Sequence, residues 1–425
     1  MPDTTKKRLL LFAYFYPPLG GPAVQRPCKT VKYLTQLGWE VDVITIREIV
    51  YHSTDASLLS ECTHQRIFRT ASLDPMFVLD KLKKIFRFNV EELYFNTTAS
   101  GKSLIKKLFP IDEKIGWLPF AYHAGKQAIL THRYQAVMVT CGPFSSAPAA
   151  YFIAKKVKLP LILDYRDHWT LNNSIDQPQR RIFRIIQNLE KHLLNSAALV
   201  LTATGRMKQD LAAKFGKHLT DKIMPFFNGW DEADFAGKLS NRIPGGSTKI
   251  AYLGTLYEGR TLKYFLQALK ELSRDCSIPE FEFQLVGNFT SASITEVEAS
   301  GIADKISLIE QQNHARAIQI MLEADVLLLV VGDEKHKWVL TGKLFEYLRC
   351  QKPILALAPK QSEAADILRS CGHTEICDIN NPDEIKQNLL ALFSISKSGI
   401  YDYKIPYEYE RSSQVKKLAD RIVCL

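Results

Sequence analysis

Two stretches of the chain repeat one pattern, in which an apolar run is followed by a turn that contains glycine and then by an amphipathic segment. The first stretch has apolar runs at 9–14 and 41–46 with a glycine loop at 17–21, and the second has apolar runs at 250–253 and 281–286. A strand, a tight turn and a helix leading to the next strand form the start of a doubly wound sheet. The chain is therefore predicted to contain two such sheets.

Short β-rich runs separated by helical patterns continue both halves, and such βαβ units require parallel strands. The predicted fold class is α/β, with two Rossmann-like domains at 1–230 and 245–425. Glycine, proline and polar residues accumulate at 228–249, where the domain boundary is expected. The last helix is a candidate for packing back on the first domain. The additional runs are 136–141, 159–165, 198–204, 324–331 and 353–359.

Composition excludes several classes of protein. With 46% hydrophobic and 24% charged residues, the 425-residue chain has the balance of a soluble globular protein. The longest apolar runs, 9–15 and 326–331, are far shorter than the ~18 residues that a membrane span needs. The eight cysteines include no CxxC pair and no zinc-binding pattern. These features predict a cytoplasmic protein without a zinc site.

The positive charge is concentrated in the first half. Residues 1–230 contain 32 Lys and Arg against 18 Asp and Glu, a net charge of +14, whereas 231–425 contain 23 against 27, a net of −4. Segments 81–88 and 101–110 interleave basic and apolar residues, a pattern typical of helices on an anionic membrane surface. Two ordinary surface helices and a solubilising charge are the alternatives. Nucleic-acid binding is not predicted, because no recognition motif accompanies the charge.

Three segments contain candidate binding residues. Gly20 and Gly21 let the backbone approach a phosphate or sugar, although glycine also serves turn geometry alone. Thr341 and Gly342 begin a predicted helix, and a following lysine suits a bound anion near the positive end of the helix dipole. The third segment, 164–169 (DYRDHW), concentrates charged residues at a strand end. Its alternative role is a brace in which an Asp164 to Arg166 pair holds the loop over a packed tryptophan.

A cation pair and a carboxylate complete the predicted donor site. Arg260 and Lys343 follow different strands of one sheet and are predicted to clamp a diphosphate, whose charge grows as its bond to sugar breaks. Glu346 lies one helical turn beyond Lys343 and suits a pair of sugar hydroxyls. The alternative is a simple ion pair between Lys343 and Glu346 on a solvated face.

In these segments the sequence resembles the GT-B glycosyltransferases, specifically the large retaining, nucleotide-sugar-dependent group (family 4-like) that builds bacterial polysaccharides and glycolipids. The resemblance covers nearly the whole chain. It implies two Rossmann-like domains facing across a cleft, with the acceptor mainly on the first domain and the nucleotide sugar mainly on the second, and no metal. The matching stretches are YPPLGGPAVQ, IGWLPFA, GPFSS, LPLILDYRDHW, FNGWD, YLGTLYEGR and KLFEYLRCQKPILAL.

The resemblance assigns roles by position. Arg260 and Lys343 are the expected catalytic residues, and Glu346 matches the glutamate that holds the nucleotide ribose. The expected donor is a nucleotide-diphosphate sugar, most simply a UDP-sugar, with no other cofactor. The acceptor is expected to be a lipid-linked or polysaccharide chain at the inner face of a membrane. Other donor-binding candidates are Gly20, Gly21, Thr255, Thr341, Gly342 and Leu344, and the acceptor-side candidates are Arg166, Asp167 and His168.

Three positions depart from the family pattern. Trp338 stands where the paired-glutamate motif has its first glutamate, and Thr255 stands where an arginine often follows the glycine of the turn. Ala147 and Pro148 follow the FSS run, where close relatives often carry a histidine. Sugar contacts at the reacting end therefore differ, and Asp167 or a main-chain group is a candidate replacement. A nucleotide-sugar 2-epimerase and a catalytically degenerate nucleotide-sugar-binding subunit are the alternative functions.

Overall fold

The computed structural model describes residues 7–47, 49, 54–55, 57–61, 66–75, 77, 111–172, 180–238, 247–256, 260–275, 278–399 and 401–425. The chain divides into two compact units, one ending at Phe227 but including Arg411–Leu425, the other spanning Asn228–Glu410. The segments 81–88 and 101–110, which the sequence predicts to lie on a membrane, fall outside the described residues. No helix among the described residues is both long and apolar enough to cross a bilayer.

The first unit contains a sheet whose seven described strands are all parallel, in the order β3-β2-β1-β4-β5-β6-β7. The strands are β1 (Lys7–Phe12), β2 (Trp39–Ile46), β3 (Arg66–Thr70), β4 (Ala136–Cys141), β5 (Leu161–Tyr165), β6 (Leu199–Thr202) and β7 (Ile223–Pro225). The helices between them are α1 (Pro22–Gln36), α2 (Ser57–Ser60), α3 (Leu118–Thr131), α4 (Ser146–Val157), α5 (Arg180–Ser196) and α6 (Gly205–Phe215).

The second unit repeats this arrangement with six described parallel strands, in the order β10-β9-β8-β11-β12-β13. Its strands are β8 (Thr248–Leu253), β9 (Phe281–Val286), β10 (Ile306–Ile309), β11 (Val326–Val330), β12 (Ile354–Leu357) and β13 (Ile376–Cys377). Its helices are α7 (Lys263–Leu272), α8 (Ser291–Ala299), α9 (His314–Glu323), α10 (Gly342–Cys350), α11 (Glu363–Ser370) and α12 (Pro382–Ser398). The final helix, α13 (Arg411–Val423), returns to the first unit and packs against α1.

The central strands are apolar because helices cover both faces of each sheet. All six residues of β4 and all five of β11 are buried, the pattern expected of parallel strands inside an α/β domain. Right-handed connections place the helices that follow β1 on one face and those that lead from β3 through β6 on the other. Each sheet therefore has a core on both sides.

The strand order fixes where each unit can bind a ligand. In both sheets the order reverses beside the first strand, between β1 and β4 and between β8 and β11. Ligands of doubly wound sheets bind beyond the carboxyl ends of the strands at such a switch point. The predicted α/β class with two Rossmann-like sheets is confirmed, and the strands missing from the sequence analysis are the short or peripheral β3, β7, β10 and β13.

Candidate functional site

A lysine and a glycine meet at the switch point of the second sheet. Gly254 follows β8 directly and has a φ of +142°, a conformation that favours glycine. A Cβ atom at this position would lie 2.8 Å from Nζ of Lys343, which belongs to the first turn of α10. Glycine at this position therefore lets the Lys343 ammonium pack directly against the end of β8.

Lys343 is half-buried, and no carboxylate of the described chain pairs with it. Among the described residues, no carboxylate oxygen lies within 4.0 Å of its ammonium. Burial lowers the pKa of Lys343, the more distant charge of Glu346 opposes this shift, and the positive charge of Arg260 adds to it. The alternative from sequence, an ion pair between Lys343 and Glu346, is therefore wrong. The arrangement is an electropositive point that an external anion would stabilise.

Arg260 is fixed close to this point. Its Nε donates a hydrogen bond of 3.1 Å to the carbonyl oxygen of Val331, the residue after β11. The bond joins the segment after β8 to the end of β11, the two strands that flank the switch point. The structure thus brings Arg260 and Lys343 to the same edge, as the sequence predicts for a two-cation clamp.

The start of α10 has the donors of an anion site. Thr341 is the N-cap residue, but its hydroxyl makes no capping hydrogen bond. Within the described chain, this buried Oγ1 atom has no hydrogen-bond partner. Gly342 is exposed, and a Cβ added there would meet nothing within 4 Å, so space is open beside the first turn. A helix N-terminus with an unused hydroxyl and open space suits a phosphate.

The remaining residues predicted to bind the sugar donor in this unit, Leu344 and Thr255, differ in burial and in hydrogen bonding. Leu344 is buried in the core, and its amide donates to the Thr341 carbonyl at 3.2 Å, so neither its side chain nor its amide is directed to a ligand. Thr255 is half-buried, and its carbonyl accepts from the Tyr252 hydroxyl at 3.4 Å. Thr255 directly follows Gly254 in the sequence, at the end of β8.

Glu346 lies beside a histidine that the sequence analysis did not identify. Its Oε1 is 3.8 Å from Nε2 of His314, the first residue of α9, and that nitrogen also lies 3.1 Å from Oδ2 of Asp234. The glutamate side chain retains 15% of its accessible surface. It is therefore positioned by a neighbour while part of its carboxylate remains available to a hydroxyl-bearing ligand.

The carboxyl edge of the first sheet is built on a fully buried ion pair. Arg26 of α1 contacts the Asp164 carboxylate with Nε at 3.1 and 3.0 Å and with Nη2 at 2.6 Å. Thr140 donates to the same carboxylate at 3.1 Å, and the guanidinium lies 4.6 Å from the centre of the Phe226 ring. The alternative predicted from sequence, an Asp164 to Arg166 pair, is wrong because Arg26 occupies this carboxylate.

Arg166 instead braces the neighbouring strand end. Its Nη2 donates a 2.6 Å hydrogen bond to the carbonyl of Gly142, directly after β4. Gly142 has a φ of +119°, and a Cβ there would overlap the guanidinium, so the contact requires glycine. The Trp169 ring stacks on Phe144 at 4.9 Å, as expected for a tryptophan packed beneath the loop.

The other acceptor-side candidates point in different directions. Asp167 is exposed, whereas His168 is buried with Nε2 at 3.3 Å from the Asp210 carboxylate of α6. Burial lowers the pKa of His168. Beneath this loop, the fully buried Glu190 of α5 accepts hydrogen bonds from the backbone amide and hydroxyl of Thr170. Burial raises the pKa of Glu190 to about 7.

Backbone geometry and a hydrogen bond from β3 fix the glycine loop of the first unit, residues 17–21. Gly21 is the N-cap residue of α1 with a φ of +86°, which requires glycine, and Gly20 beside it is buried. Arg69 of β3 donates to the carbonyl of Pro17 at 2.6 Å. Because α1 carries Arg26, the buried ion pair fixes this loop relative to the segment that contains Arg166.

Several residues that shape the two edges were not predicted from the sequence. These residues lie far in sequence from the groups that they position, and they are Arg26, Gly254, His314 and Glu190. Only Gly254, a glycine directly after a predicted strand, could have been recognised from the sequence. Among the described residues, no group of three or more His, Cys, Asp or Glu side chains could hold a metal ion.

The chain has the fold of the GT-B glycosyltransferases. Sucrose-phosphate synthase from Thermosynechococcus elongatus has a TM-score of 0.63 at 13% identity, covering 99% of this chain and 100% of that one. HepE of Anabaena, solved with UDP and glucose, has a TM-score of 0.62 at 12% identity and the same coverage. A glycosyltransferase from Rickettsia africae has a TM-score of 0.63 at 15% identity and covers 98% of each chain.

A second class of enzyme shares this fold. A UDP-N-acetylglucosamine 2-epimerase has a TM-score of 0.57 at 12% identity and covers 99% of this chain and 96% of its own. No protein-family model and no curated protein matches the sequence. At these identities the similarity establishes the fold alone.

Proposed function

We propose that the protein is a glycosyltransferase that transfers a sugar from a nucleotide-diphosphate donor to a lipid-linked or polysaccharide acceptor. A UDP-sugar is the proposed donor, because UDP is the nucleotide in the solved complex of the structurally similar HepE. The observation that carries the proposal is the half-buried ammonium of Lys343, which has no carboxylate within 4.0 Å in the described chain. This ammonium lies at a switch point where such sheets bind ligands.

The proposed chemistry follows from where charge develops. When the bond between the anomeric carbon and the diphosphate oxygen breaks, negative charge grows on the leaving diphosphate. Lys343 and Arg260, held at adjacent strand ends, would stabilise that charge more in the transition state than in the ground state. The backbone amides at the start of α10 and the hydroxyl of Thr341 would donate hydrogen bonds to the phosphates. Glu346 would accept hydrogen bonds from the ribose hydroxyls.

Retention of anomeric configuration and independence from metal are part of the proposal. The two cations provide charge stabilisation of the kind that a divalent ion supplies in other transferases. Turnover should therefore survive a chelator, and the anomeric proton coupling of the first-formed product should match that of the donor. A product of opposite configuration would refute retention while leaving the donor site intact.

The donor can be identified by thermal-shift titration against UDP, GDP, ADP, CDP and dTDP and their common sugars. A ligand that binds only the native state raises the apparent stability with concentration. We expect a UDP-sugar to give the largest shift and the K343A variant to lose most of it. No shift with any nucleotide would contradict the proposal.

The second candidate is a nucleotide-sugar 2-epimerase, because enzymes of that class share this fold. Such an enzyme converts its nucleotide sugar without an acceptor. Incubation of the protein with UDP-N-acetylglucosamine in deuterated water would exchange the proton at C2 and produce the epimer. Deuterium at C2 in the absence of acceptor would favour the epimerase, and binding without either reaction would favour a degenerate subunit.

A further inference from the structure

One helical layer of the first unit has a surface of a single charge sign. Helices α3, α4 and α5, with the short segments after α3 and α4, comprise residues 118–135, 146–160 and 180–196, which we call the basic layer. Glu190 is the single carboxylate in these three stretches, and it is fully buried. The exposed cations are Lys126, Arg133, Lys155, Lys156, Lys158, Arg180, Arg181, Arg184 and Lys191.

Within the part of the chain that the structure describes, these cations form no ion pairs. No carboxylate lies within 4.0 Å of any of the nine among the described residues. The adjacent α6 differs, because its exposed Lys214 shares the helix with Asp210, whose side chain is 52% exposed. The uniform sign therefore belongs to the basic layer and not to every helix on the unit.

The three helices form one continuous surface. The connections from β3 to β4, β5 and β6 advance in one direction across the sheet, so their helices lie on the same face. The Tyr122 ring of α3 contacts Phe152 of α4 edge-on at 6.4 Å. The Tyr151 hydroxyl of α4 lies 2.9 Å from Nε2 of His192 on α5. The charges are thus presented together.

Large apolar side chains are exposed among these cations. Leu130 is 84% exposed, Phe152 is 50% exposed and Ile185 is 67% exposed, one on each helix. Lys126 precedes Leu130 by one turn, Lys155 and Lys156 follow Phe152 by one turn, and Arg184 is adjacent to Ile185. Single exposed apolar residues are ordinary on protein surfaces, but here every helix combines one with cations and no exposed acid.

We propose that the basic layer is a docking surface for an anionic lipid bilayer. Lipid phosphates would neutralise the cations, and Leu130, Phe152 and Ile185 would enter the boundary between head groups and acyl chains. Lysine and arginine stems are long enough to keep their charges at the head groups while the apolar side chains insert. A nucleic acid would satisfy the charge but would leave Leu130 and Ile185 without a partner, so the bilayer is favoured.

The inference is independent of the proposed transfer reaction and can be tested without donor or acceptor. The full-length protein is floated with phosphatidylcholine vesicles that contain about 30 mol% phosphatidylglycerol, or none, at salt from about 50 to 500 mM. We expect binding to the anionic vesicles alone, weakening steeply as salt rises. Binding to neither vesicle, or equally to both, overturns the proposal.

Two variants separate charge from insertion. In the charge variant, Lys155, Lys156, Arg181 and Arg184 become Gln. Each cation near an anionic surface contributes about fivefold to partitioning, so the charge variant should bind at least about 100-fold more weakly. In the insertion variant, Phe152 and Ile185 become Ser, and binding should weaken by about tenfold, with the salt dependence kept. Because all six side chains are exposed, neither variant should impair folding.

The matched control removes the same number of charges outside the basic layer, by changing Lys397, Lys404, Lys416 and Lys417 to Gln. These lysines are also exposed. The control should bind anionic vesicles within about twofold of the unaltered protein, and all variants should keep its nucleotide-induced thermal shift. Equal losses in the charge variant and the control would reduce the effect to net charge and overturn the proposal. An insertion variant that binds normally, with competition by single-stranded RNA, would do the same in favour of a nucleic acid.

Discussion

The carboxyl edges of the two sheets share the same strand order but differ in whether their basic side chains are paired with a carboxylate. At the first edge, Arg26 is fully buried and paired with Asp164, whose carboxylate also accepts from Thr140. At the second edge, considering the described residues, Lys343 has no carboxylate within 4.0 Å and the Thr341 hydroxyl has no hydrogen-bond partner. The first edge is complete within the fold, whereas under the proposed function a bound anion would complete the second.

This difference separates stability from binding. A buried ion pair costs much when one partner is removed, because the other charge is left without compensation. An unpaired cation costs the fold some desolvation and gains only when a ligand arrives. Substitutions in the buried ion pair of the first edge should therefore destabilise the protein, and substitutions at the second edge should leave the fold intact while weakening ligand binding and turnover.

The largest expected effect is at the first edge. Arg26→Met leaves the Asp164 carboxylate buried and unpaired, and we expect the first unit to lose about 3–5 kcal/mol in free energy of unfolding. Urea unfolding followed by tryptophan fluorescence measures this loss. Replacing both partners, Arg26→Met with Asp164→Leu, should recover part of it. Asp167→Asn, at an exposed carboxylate in the same loop, is the control and should change stability little; a mild Arg26→Met variant would contradict the comparison.

The second expected effect is on turnover. Lys343→Ala or Arg260→Ala should lower turnover about 100- to 1,000-fold, the loss typical when a transition-state donor is removed. Unfolding in urea should stay unchanged for Lys343→Ala, since no ion pair is broken. Lys397→Ala, at an exposed lysine on α12, provides the control. Near-normal turnover in both single variants would show that the two cations do not contact the leaving group.

The third effect is on nucleotide affinity. Glu346→Gln removes the charge and replaces one acceptor oxygen with an amide donor, so affinity for the nucleoside diphosphate should fall by about 1–3 kcal/mol. Calorimetric titration measures the change, and Glu298→Gln on the exposed surface of α8 is the matched control. Unchanged affinity would restrict Glu346 to positioning His314.

The smallest effect is a pH dependence at the second edge. Burial holds the pKa of Lys343 below its usual 10.5. A bound diphosphate favours the protonated ammonium, so nucleotide binding takes up a proton once the pH exceeds the pKa of the free protein. Affinity should therefore fall as pH rises through this lowered pKa, at values below 10.5. Lys343→Arg keeps its charge and should flatten the decline; an equal decline in both proteins would assign the titration elsewhere.

Much of the second edge was predictable from the sequence because its residues are close together in the chain. Thr341, Gly342, Lys343 and Glu346 lie within six consecutive positions, and helical spacing alone places the last two on one face. Arg260 was predicted because parallel strands end at a common edge. The sequence did not predict His314, which approaches Glu346 from a different crossover.

The first edge was predicted less well because its contacts join distant segments. Asp164 has Arg166 two residues away, yet its partner is Arg26, 138 positions earlier in the chain. A strand alternates its side chains between the two faces, so a carboxylate at the strand end reaches whichever helix packs on its own face. Sequence proximity carries no information about that choice.

By itself, the sequence determined the two parallel sheets, their approximate strands and the glycine turns, since these depend on apolar periodicity and local backbone geometry. The tertiary structure alone decided which charges are neutralised. It buried Arg26 against Asp164 and left Lys343 facing Gly254. It also gathered nine cations of three helices on one face. Charge compensation depends on distances between side chains far apart in the chain, and packing sets those distances.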